Sequence, residues 1–539
     1  MSGKERIKKA LTLQPTDRIP WIPFIGIHGA RLIGINATQY LKSADHIVNG
    51  ISKAVELYKP DGIPVIFDLQ VEAEALGCQL IWSDNNPPAV QTHPLIQGTQ
   101  LKSLALPGPN DGRIGIAMDA TRRLREKHPD LALYGLITGP FTLALHLLGT
   151  DIFIKMYEDP DTIRQLLSFT REVSKAMAGY YIENGCDVIA VVDPMTSQID
   201  PGLFSQFVSD PATEVFDYIR DKGALSSFFV CGHAQQNIDI MCKCRPDNVS
   251  IDENIPLDYV KPIALEHKVS FGGNMKLTVV LLMGTPEDCM RNALECIDLG
   301  GNKGFILAPG CDLPMDTPVE NLQAVTSIVD DPYQQNVVRA MEKTEADLEL
   351  LNMKDYGKTD KVIVDIITLD SESCAPCQYM VESVKRVAPQ FEGIVEWREH
   401  AIKKMEAVTF MASLMVKNIP TICIDGKIAF VSKIPPQHEL ISAIQKRINE
   451  KVKYWIKSRK SEISILGKKD DDISPLQENI NLAIRETGKN IGITVIRDER
   501  TIQEFGAYQT PAVLITEYKL KSQGELPSVE VIKEWLKEL

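Results

Sequence analysis

Two cysteines of this chain lie three residues apart in a pattern that suits thiol–disulfide chemistry. Cys374 and Cys377 form a Cys-x-x-Cys motif in SESCAPCQYM, after an apolar run and at the head of an amphipathic segment. Because a helix N-terminus stabilises anions, we expect Cys374 to be the attacking thiolate and Cys377 to resolve the mixed disulfide. Such a pair can also be half of a zinc knuckle. No second pair follows at knuckle spacing, so a redox dithiol is favoured.

A second candidate site combines two cysteines that are far apart in the sequence. Cys231 follows the apolar run SSFFV, Cys311 follows KGFILAPG, and Glu253 lies in SIDEN between them. Parallel strands of a barrel end at one face, so these three side chains can converge. Zinc favours such ligands, and a zinc-bound thiol acceptor would become a thiolate able to attack an activated methyl group. The alternative is that both cysteines are small buried apolar residues.

Other polar residues in apolar surroundings have weaker claims. Asp193 follows VIAVV and could orient a ligand or act as an acid or base, or it could cap a helix. Asp68, a candidate for substrate binding, and Glu72 would share a face if their segment is helical, although a structural role is favoured for both. His146 stands alone among apolar residues, which favours a core or surface position over a ligand role.

The elements that must position these residues fall into blocks along the chain. Residues 1–340 alternate short β-branched runs with long amphipathic segments, which predicts a (β/α)₈ TIM barrel. A charged segment at 341–360 predicts a linker helix. Residues 361–450 and 461–539 then repeat one order of strands and helices. We therefore expect two smaller α/β domains after the barrel, joined by a basic helix.

Composition limits the classes of function. The chain has 539 residues and a formal net charge of −14, and an acidic surface disfavours nucleic acid as a partner. Its 11 cysteines are spread too widely for a disulfide scaffold. The apolar runs are only strand-sized, and no apolar stretch follows the basic N-terminus. We therefore expect no membrane association and a cytoplasmic location.

The segment GFILAPGCDLPMDTPVENLQAV around Cys311 resembles the last-strand motif of the uroporphyrinogen-decarboxylase-like methyltransferases. Shorter matches to this family, such as TGPFTLALHLLG and VVDPMTSQIDPGLF, run through the first 330 residues. The resemblance implies a barrel that takes a methyl group from a methylated corrinoid protein. The acceptor it implies is a thiol such as coenzyme M, or a folate-type pterin. The corrinoid would be carried by the partner protein.

Cobalamin-independent methionine synthase, which shares this barrel, has a His-x-Cys, Glu, Cys zinc set. Cys231, Glu253 and Cys311 fall at similar spacing, so the resemblance implies that they bind zinc. The position of the histidine, however, holds Phe229, which cannot bind a metal. His233 could replace it, because alternate residues of an extended segment point the same way.

The C-terminal blocks resemble thioredoxin-like domains. NIPTICIDG is similar to the cis-proline loop of that superfamily, which implies that Pro420 packs against the dithiol and contacts the substrate. In the last domain the positions of the two cysteines fall near Asp470 and Ile473, although Pro511 still matches the cis-proline position. We therefore expect the last domain to lack thiol exchange. It would serve as a docking or dimerisation surface, or simply cover its neighbour.

These features predict a zinc-dependent, corrinoid-dependent methyltransferase with an attached dithiol module. The dithiol would keep an acceptor thiol or the metal-binding cysteines reduced. One alternative is a thiol–disulfide oxidoreductase whose barrel is only a binding or adaptor domain. Another is a decarboxylase of the uroporphyrinogen type. The decarboxylase is disfavoured because the N-terminal segment has Arg18 and Arg31 but lacks that family's closely spaced arginines.

Overall fold

The structure is a computed structural model of the chain, and the residues it describes are 1–340, 350–372, 374–458, 462–488, 491–507, 509–516 and 531–533. They form two compact units, Met1–Pro436 and Gln437–Leu539. The first unit therefore contains both the predicted barrel and the domain with the Cys-x-x-Cys motif. Among the described residues, no helix combines the length and apolarity needed to cross a membrane.

The first unit is built around a wholly parallel sheet whose spatial order follows the chain order. Nearly all of its strand residues are buried, as expected for a parallel sheet covered by helices. The seven strands are Gly62–Pro64, Ala132–Thr138, Val188–Val192, Leu225–Val230, Asn248–Ile251, Ser270–Met275 and Phe305–Pro309.

A short segment around Trp21 takes the place of an eighth strand. Trp21 forms a parallel bridge with Leu307 of the last strand. Its carbonyl accepts a 2.9 Å hydrogen bond from the backbone N–H of Asp61, beside the first strand. The prediction of eight regular strands is corrected to seven strands and this one-residue bridge. Pro20 and Pro23 flank Trp21, and proline has no N–H with which to extend a strand ladder.

Helices surround the sheet, and aromatic side chains fill its interior. Phe229 packs against Phe24 and Phe67, with ring centroids 5.1 and 6.0 Å away. The helices are Gly3–Leu11, His28–Leu32, Ala37–Leu41, Ala44–Tyr58, Val71–Ala75, Gly112–Lys127, Pro140–Leu148, Asp151–Glu158, Pro160–Glu183, Pro201–Leu203, Ser209–Asp221, Ile238–Lys243, Leu257–Glu266, Pro286–Gly300, Val319–Asp330 and Pro332–Ala340.

Residues 361–436 form a smaller sheet with two helices, which we call the dithiol module. Its four strands lie in the spatial order Val395–Ala401, Val362–Thr368, Thr421–Ile424 and Lys427–Val431. The first pair is parallel and the other two pairs are antiparallel. The helices are Ala375–Val387 and Met405–Ser413, and the Ile419–Pro420 peptide is cis. The element order is the one expected from the sequence, and the assignment to the thioredoxin-like class stays a prediction.

The predicted linker helix at 341–360 is wrong for its described part. Residues 350–360 contain turns and no helix. Met353 and Tyr356 pack against the core of the dithiol module instead, and the Tyr356 hydroxyl donates to Asp365 at 3.0 Å. These tertiary contacts outweigh the helical preference of a charged segment. Residues 341–349 lie outside the described part of the chain.

The second unit begins with the helix Gln437–Ser458, which includes the described part of the predicted basic connection. A three-stranded sheet follows in the order Gly492–Ile496, Glu462–Leu466 and Ala512–Thr516, with helices Asp470–Thr487 and Glu499–Glu504. Ile473 is buried in its core, and the Thr510–Pro511 peptide is cis. The predicted final helix to Leu539 falls outside the described residues, except for a helical stretch at 531–533.

Candidate active site at the barrel mouth

The structure brings the two distant cysteines of the barrel together. Cys231 directly follows the strand Leu225–Val230, and Cys311 comes two residues after Phe305–Pro309. Their sulfur atoms are 3.2 Å apart, and both residues are partly buried. The hydrogen bond to Cys311 and the burial of the thiol raise the pKa of Cys231 well above its ordinary value. Forming two thiolates here therefore calls for a compensating positive charge.

Glu253 lies beside this sulfur pair. Its Oε1 accepts a hydrogen bond from the backbone N–H of Leu277 at 2.9 Å. Its Oε2 packs so closely against Gly310, the residue before Cys311, that a methyl group at that position would collide with it. Burial raises the pKa of the Glu253 carboxyl. The side chain is thus fixed through one oxygen while the other lies next to the cysteine segment.

Two further carboxyl groups of this region were missed as site residues in the sequence. Asp252 accepts hydrogen bonds from the backbone N–H of Gly232 at 2.6 Å and from Asn254 Nδ2 at 2.8 Å. Burial, followed by the charge of the neighbouring Glu253, raises the pKa of Asp252 to about 7. Asp312 accepts from the N–H of Gly26 at 2.7 Å. Each aspartate adjoins a predicted ligand in sequence, which is the signal that could have identified it.

His233 is not brought to this cluster. It does not line the cavity that contains the two sulfurs, and its Nδ1 is buried with no hydrogen-bond partner among the described residues. Phe229 is buried in the barrel interior. Within the described ranges, no group of three or more His, Cys, Asp or Glu side chains is gathered as a ready metal site. Cys231, Cys311 and Glu253 therefore do not form a ready-made three-ligand site here, and their binding of zinc stays a prediction.

Asp193 caps a helix and does not line the cavity. Its carboxylate is fully buried and accepts hydrogen bonds from the N–H of Phe141 at 3.1 Å, and from the N–H and hydroxyl of Thr142 at 2.7 and 2.6 Å. These donors belong to the first turn of the helix Pro140–Leu148. Burial raises the pKa of Asp193 to about 6. These contacts favour the helix-capping alternative over the ligand-orienting or acid–base role that the sequence also allowed.

Asp68 lines the cavity, but it is held by protein groups. It forms a buried ion pair with Arg113, and its Oδ1 accepts from the N–H of Gln70 at 2.8 Å. The neighbouring helix, Val71–Ala75, starts after Asp68, so Asp68 and Glu72 do not share a helical face as the spacing suggested. Glu72 is buried and accepts from the N–H and hydroxyl of Thr138, both at 2.9 Å.

The dithiol of the smaller module lines the same cavity as the barrel cysteines. Cys374 and Cys377 are joined by a disulfide, and Cys374 stands at the N-cap of the helix Ala375–Val387. Cis Pro420 also faces this cavity. The residues that line it are Phe67, Asp68, Leu69, Gln70, Pro87, Val192, Pro194, Cys231, Gly232, Asp252, Glu253, Asn254, Leu277, Cys311, Asp312, Leu369, Cys374, Ala375, Pro376, Cys377, Ile419 and Pro420.

Hydrogen bonds hold the module in this position. Gln198 of the barrel donates to the carbonyl of Ser432 at 3.0 Å and accepts from the N–H of Ile434 at 2.9 Å. On the dithiol helix, the hydroxyl of Tyr379 lies 3.1 Å from Nδ1 of His146, and both side chains are fully buried. Burial lowers the pKa of His146 to about 3, so its ring is neutral. His146 is thus a contact residue of the module.

The barrel can be assigned to a known group of proteins. The family model described as uroporphyrinogen decarboxylase (URO-D) matches residues 2–332, which is more than half of the chain. The chain belongs to the uroporphyrinogen decarboxylase family. This confirms the resemblance seen in the barrel motifs.

Proteins similar to this chain include methyltransferases. The chain is 27% identical over 336 residues to methylcobamide:CoM methyltransferase MtbA of Methanosarcina acetivorans, covering 59% of this chain and 95% of that protein. It is 25% identical over 340 residues to methylcobamide:CoM methyltransferase MtaA of Methanosarcina barkeri, covering 61% and 98%. A solved methyltransferase from Methanosarcina mazei matches 62% of this chain and 99% of its own, with 25% identity and a TM-score of 0.58.

Proposed function

We propose that this protein is a corrinoid-dependent methyltransferase that transfers a methyl group from a methylated corrinoid protein to a small thiol. The observation that carries the proposal is the 3.2 Å approach of the Cys231 and Cys311 sulfurs at the barrel mouth. The names of the similar methyltransferases support the reaction class. A folate-type acceptor is the less favoured alternative, because the paired sulfurs suit a thiolate-binding metal.

Zinc is the proposed metal, and Cys231, Cys311 and Glu253 are the residues that would hold it. When bound, it would supply the positive charge that lets an acceptor thiol lose its proton at neutral pH. Asp252 fixes the backbone beside Cys231 through its hydrogen bond from Gly232. The hydrogen bond from Leu277 leaves Glu253 with one oxygen directed toward the cysteine segment. These contacts would orient the ligands and limit their motion.

The structure gives little support to the decarboxylase alternative. Arg18 is engaged with Asp61 and Asp330, and Arg31 pairs with Asp316. No Lys, Arg or His is found among the described residues that line the cavity. A substrate with several carboxylates would therefore be buried without cationic partners, which is costly.

The attached dithiol is proposed to work on thiols at this same site. Cys374 and Cys377 face the cavity of the barrel cysteines, and Cys374 is placed at a helix N-terminus that favours its thiolate. An oxidoreductase with a passive barrel would have no need for paired barrel sulfurs beside the dithiol. In the proposed function both sulfur pairs have a role, the barrel pair in methyl transfer and the dithiol in redox chemistry.

The test measures zinc content and methylation of a thiol by methylcobalamin in the purified full chain. We expect about one zinc per chain, and formation of the methyl thioether. Cys311→Ala should lose the zinc and lower the rate on the order of a hundredfold or more. Cys289→Ala, at a buried helix position outside the cavity, is the matched control and should keep both. Absence of zinc together with full activity of Cys311→Ala would favour the oxidoreductase alternative.

A further inference from the structure

We infer that the dithiol of Cys374 and Cys377 has an internal substrate, the disulfide that Cys231 and Cys311 form when they are oxidised. The inference deepens the proposed function, because it assigns the redox module to the sulfur pair of the methyl-transfer site. It adds a second activity to the chain, an intramolecular thiol–disulfide exchange. That exchange protects the thiols on which methyl transfer depends.

The first support is that the barrel sulfurs are poised to oxidise. They lie 3.2 Å apart, already closer than two non-bonded sulfur atoms in ordinary contact, so bond formation needs only a small movement. Hydrogen peroxide would convert a metal-free pair of this kind into a disulfide, with two molecules of water as the other product. As a disulfide, the pair can no longer supply two thiolates to a metal.

The second support is that the dithiol lies at the same cavity as the barrel pair. All four sulfur-bearing residues line one cavity. Cys374 is partly exposed there, whereas Cys377 is fully buried behind it, as expected for an attacking and a resolving cysteine. The other cysteines of the described chain, such as Cys78 and Cys423, are buried and do not line this cavity.

The exchange is balanced in two steps. The Cys374 thiolate bonds to one barrel sulfur, the bond between Cys231 and Cys311 breaks, and the leaving sulfur takes the electron pair and then a proton. Cys377 loses its proton and attacks Cys374, which forms the Cys374–Cys377 disulfide and releases the second barrel thiolate, which is protonated in turn. Two electrons and two protons have moved to the barrel. A small or protein-borne dithiol from solution then reduces the module again.

The exchange would end with one disulfide in the module and two thiols in the barrel. Cys374 and Cys377 form a disulfide, while Cys231 and Cys311 are free thiols. The reverse distribution, with the barrel pair oxidised and the dithiol reduced, is the starting state. The two states differ only in where one disulfide lies within a single cavity.

The experiment traps the mixed disulfide. In Cys377→Ser the resolving thiol is absent, so Cys374 should stay bonded to Cys231 or Cys311 after treatment of the metal-free full chain with hydrogen peroxide. Tryptic peptides analysed by mass spectrometry without reduction would show the link. Each of the three cysteines lies on a different tryptic peptide, and fragment ions separate Cys231 from Cys242 on theirs. The companion variant Cys423→Ser, which keeps both dithiol cysteines, should give no such link.

A rate measurement provides the second readout. After peroxide treatment, limiting dithiothreitol should restore alkylation of Cys231 and Cys311 at least about tenfold more slowly in Cys374→Ser than in the unchanged chain, because a module held at the cavity acts at millimolar effective concentration or higher. The inference is overturned if peroxide forms no barrel disulfide, if Cys374 links no more to the barrel pair than to Cys78 or Cys423, or if the two recovery rates are equal. No methyl donor is present, so these outcomes are independent of the methyl-transfer assay.

Discussion

At the scale of single residues, the charged groups that line the cavity bear on which acceptor can enter. Carboxyl groups of Asp68, Asp252, Glu253 and Asp312 line the cavity, and no Lys, Arg or His of the described chain does so. Lys403 lines an adjoining cavity that shares Cys311 and Asp312, but it is paired with Asp370, so an acceptor with a strong acid group would be buried here without a free cationic partner. The thiol group itself needs only the charge of the proposed metal to lose its proton. The site should therefore favour an uncharged thiol over an anionic one of equal length.

We predict that 2-mercaptoethanol is methylated more efficiently than 2-mercaptoethanesulfonate. The two thiols have the same two-carbon chain and differ in the hydroxyl and sulfonate ends. We expect the uncharged thiol to have the higher kcat/KM by about tenfold or more, since that ratio corresponds to about 1.4 kcal/mol. The measurement is thioether formation with methylcobalamin as donor for both thiols. A preference for the sulfonate would show that a cation reaches the acceptor.

A second prediction at this scale concerns Asp193. Its pKa is raised to about 6 by burial, whereas an unfolded aspartate titrates near 3.8. The folded state therefore binds the proton more tightly, and stability is lost as pH rises from about 4 to about 6. Asp193→Asn lacks this ionisation. The free energy of unfolding of the variant should improve relative to the unchanged chain over that range, by about 2–3 kcal/mol in total.

Urea unfolding at pH 4.5 and at pH 7 measures this difference. At either pH the variant also loses an acceptor for Thr142 or Phe141, and that loss is the same at both and cancels from the comparison. Because the carboxylate does not line the cavity, Asp193→Asn should retain methyl transfer within about threefold at pH 7. A large loss of activity with unchanged stability would instead return Asp193 to a catalytic role.

The sequence predicted part of this site for a simple physical reason. Residues that follow parallel strands meet at one face of the barrel, so Cys231, Glu253 and Cys311 could be grouped from their positions, and the family resemblance favoured a metal site over buried apolar cysteines. Strand position does not determine which way a side chain turns beyond the strand. Asp193 turns toward a neighbouring helix, and His233 lies outside the cavity. Those orientations depend on tertiary contacts that have no local pattern.

At the scale of elements, one helix carries the dithiol and also makes contacts that hold the dithiol module against the barrel. Ala375–Val387 begins at the Cys-x-x-Cys motif, and its Tyr379 packs fully buried beside His93 and His146. The hydroxyl of Tyr379 shares a hydrogen bond with His146, whose ring is neutral. Because the helix is a rigid unit, a contact one turn from Cys374 also fixes where Cys374 points.

We predict that Tyr379→Phe weakens the attachment of the dithiol module to the barrel. Removal of the hydroxyl leaves a buried histidine nitrogen unpaired, which costs about 1–3 kcal/mol. The exchange of backbone amides in the helix Ala375–Val387 should therefore become faster, as measured by hydrogen exchange. Tyr333→Phe removes a hydroxyl from a residue that is 72% exposed and should change nothing. Equal protection in both variants would mean that the hydrogen bond does not hold the module.

The sequence predicted the elements of this module but not the contacts that hold it against the barrel. The order of strands and helices, and the dithiol at a helix start, follow from local patterns. These contacts involve Val90, His146 and Gln198 of the barrel, which form hydrogen bonds to the module although they lie far from it in the chain. No periodicity marks a residue as the partner of a distant surface. The shared cavity could therefore be recognised only in three dimensions.

At the scale of the whole molecule, the position of the dithiol module has a consequence for the proposed methyl donor. The cavity with the barrel sulfurs is lined on one side by the barrel and on the other by Leu369, Cys374, Pro376 and Pro420 of the module. A corrinoid carried by a protein must approach the barrel face that the module covers. We therefore expect the proposed donor to bind productively only when the module has moved, so that the fraction of open molecules would lower the apparent affinity.

We predict that weakening the contacts between the module and the barrel raises the rate of methyl transfer from a protein-borne donor. Gln198→Ala removes both hydrogen bonds to the 432–434 segment, each contributing about 0.5–1.5 kcal/mol. The open fraction, and with it kcat/KM for a methylated corrinoid protein, should rise by about fivefold or more, since about 1 kcal/mol corresponds to that factor. The KM for the small thiol should stay the same, because Gln198 does not line the cavity. Gln206→Ala, an exposed barrel position, is the control and should leave both values unchanged. A fall in kcat/KM for the donor in Gln198→Ala would mean that the closed arrangement is itself the docking surface, with the module contributing to corrinoid binding instead of yielding to it.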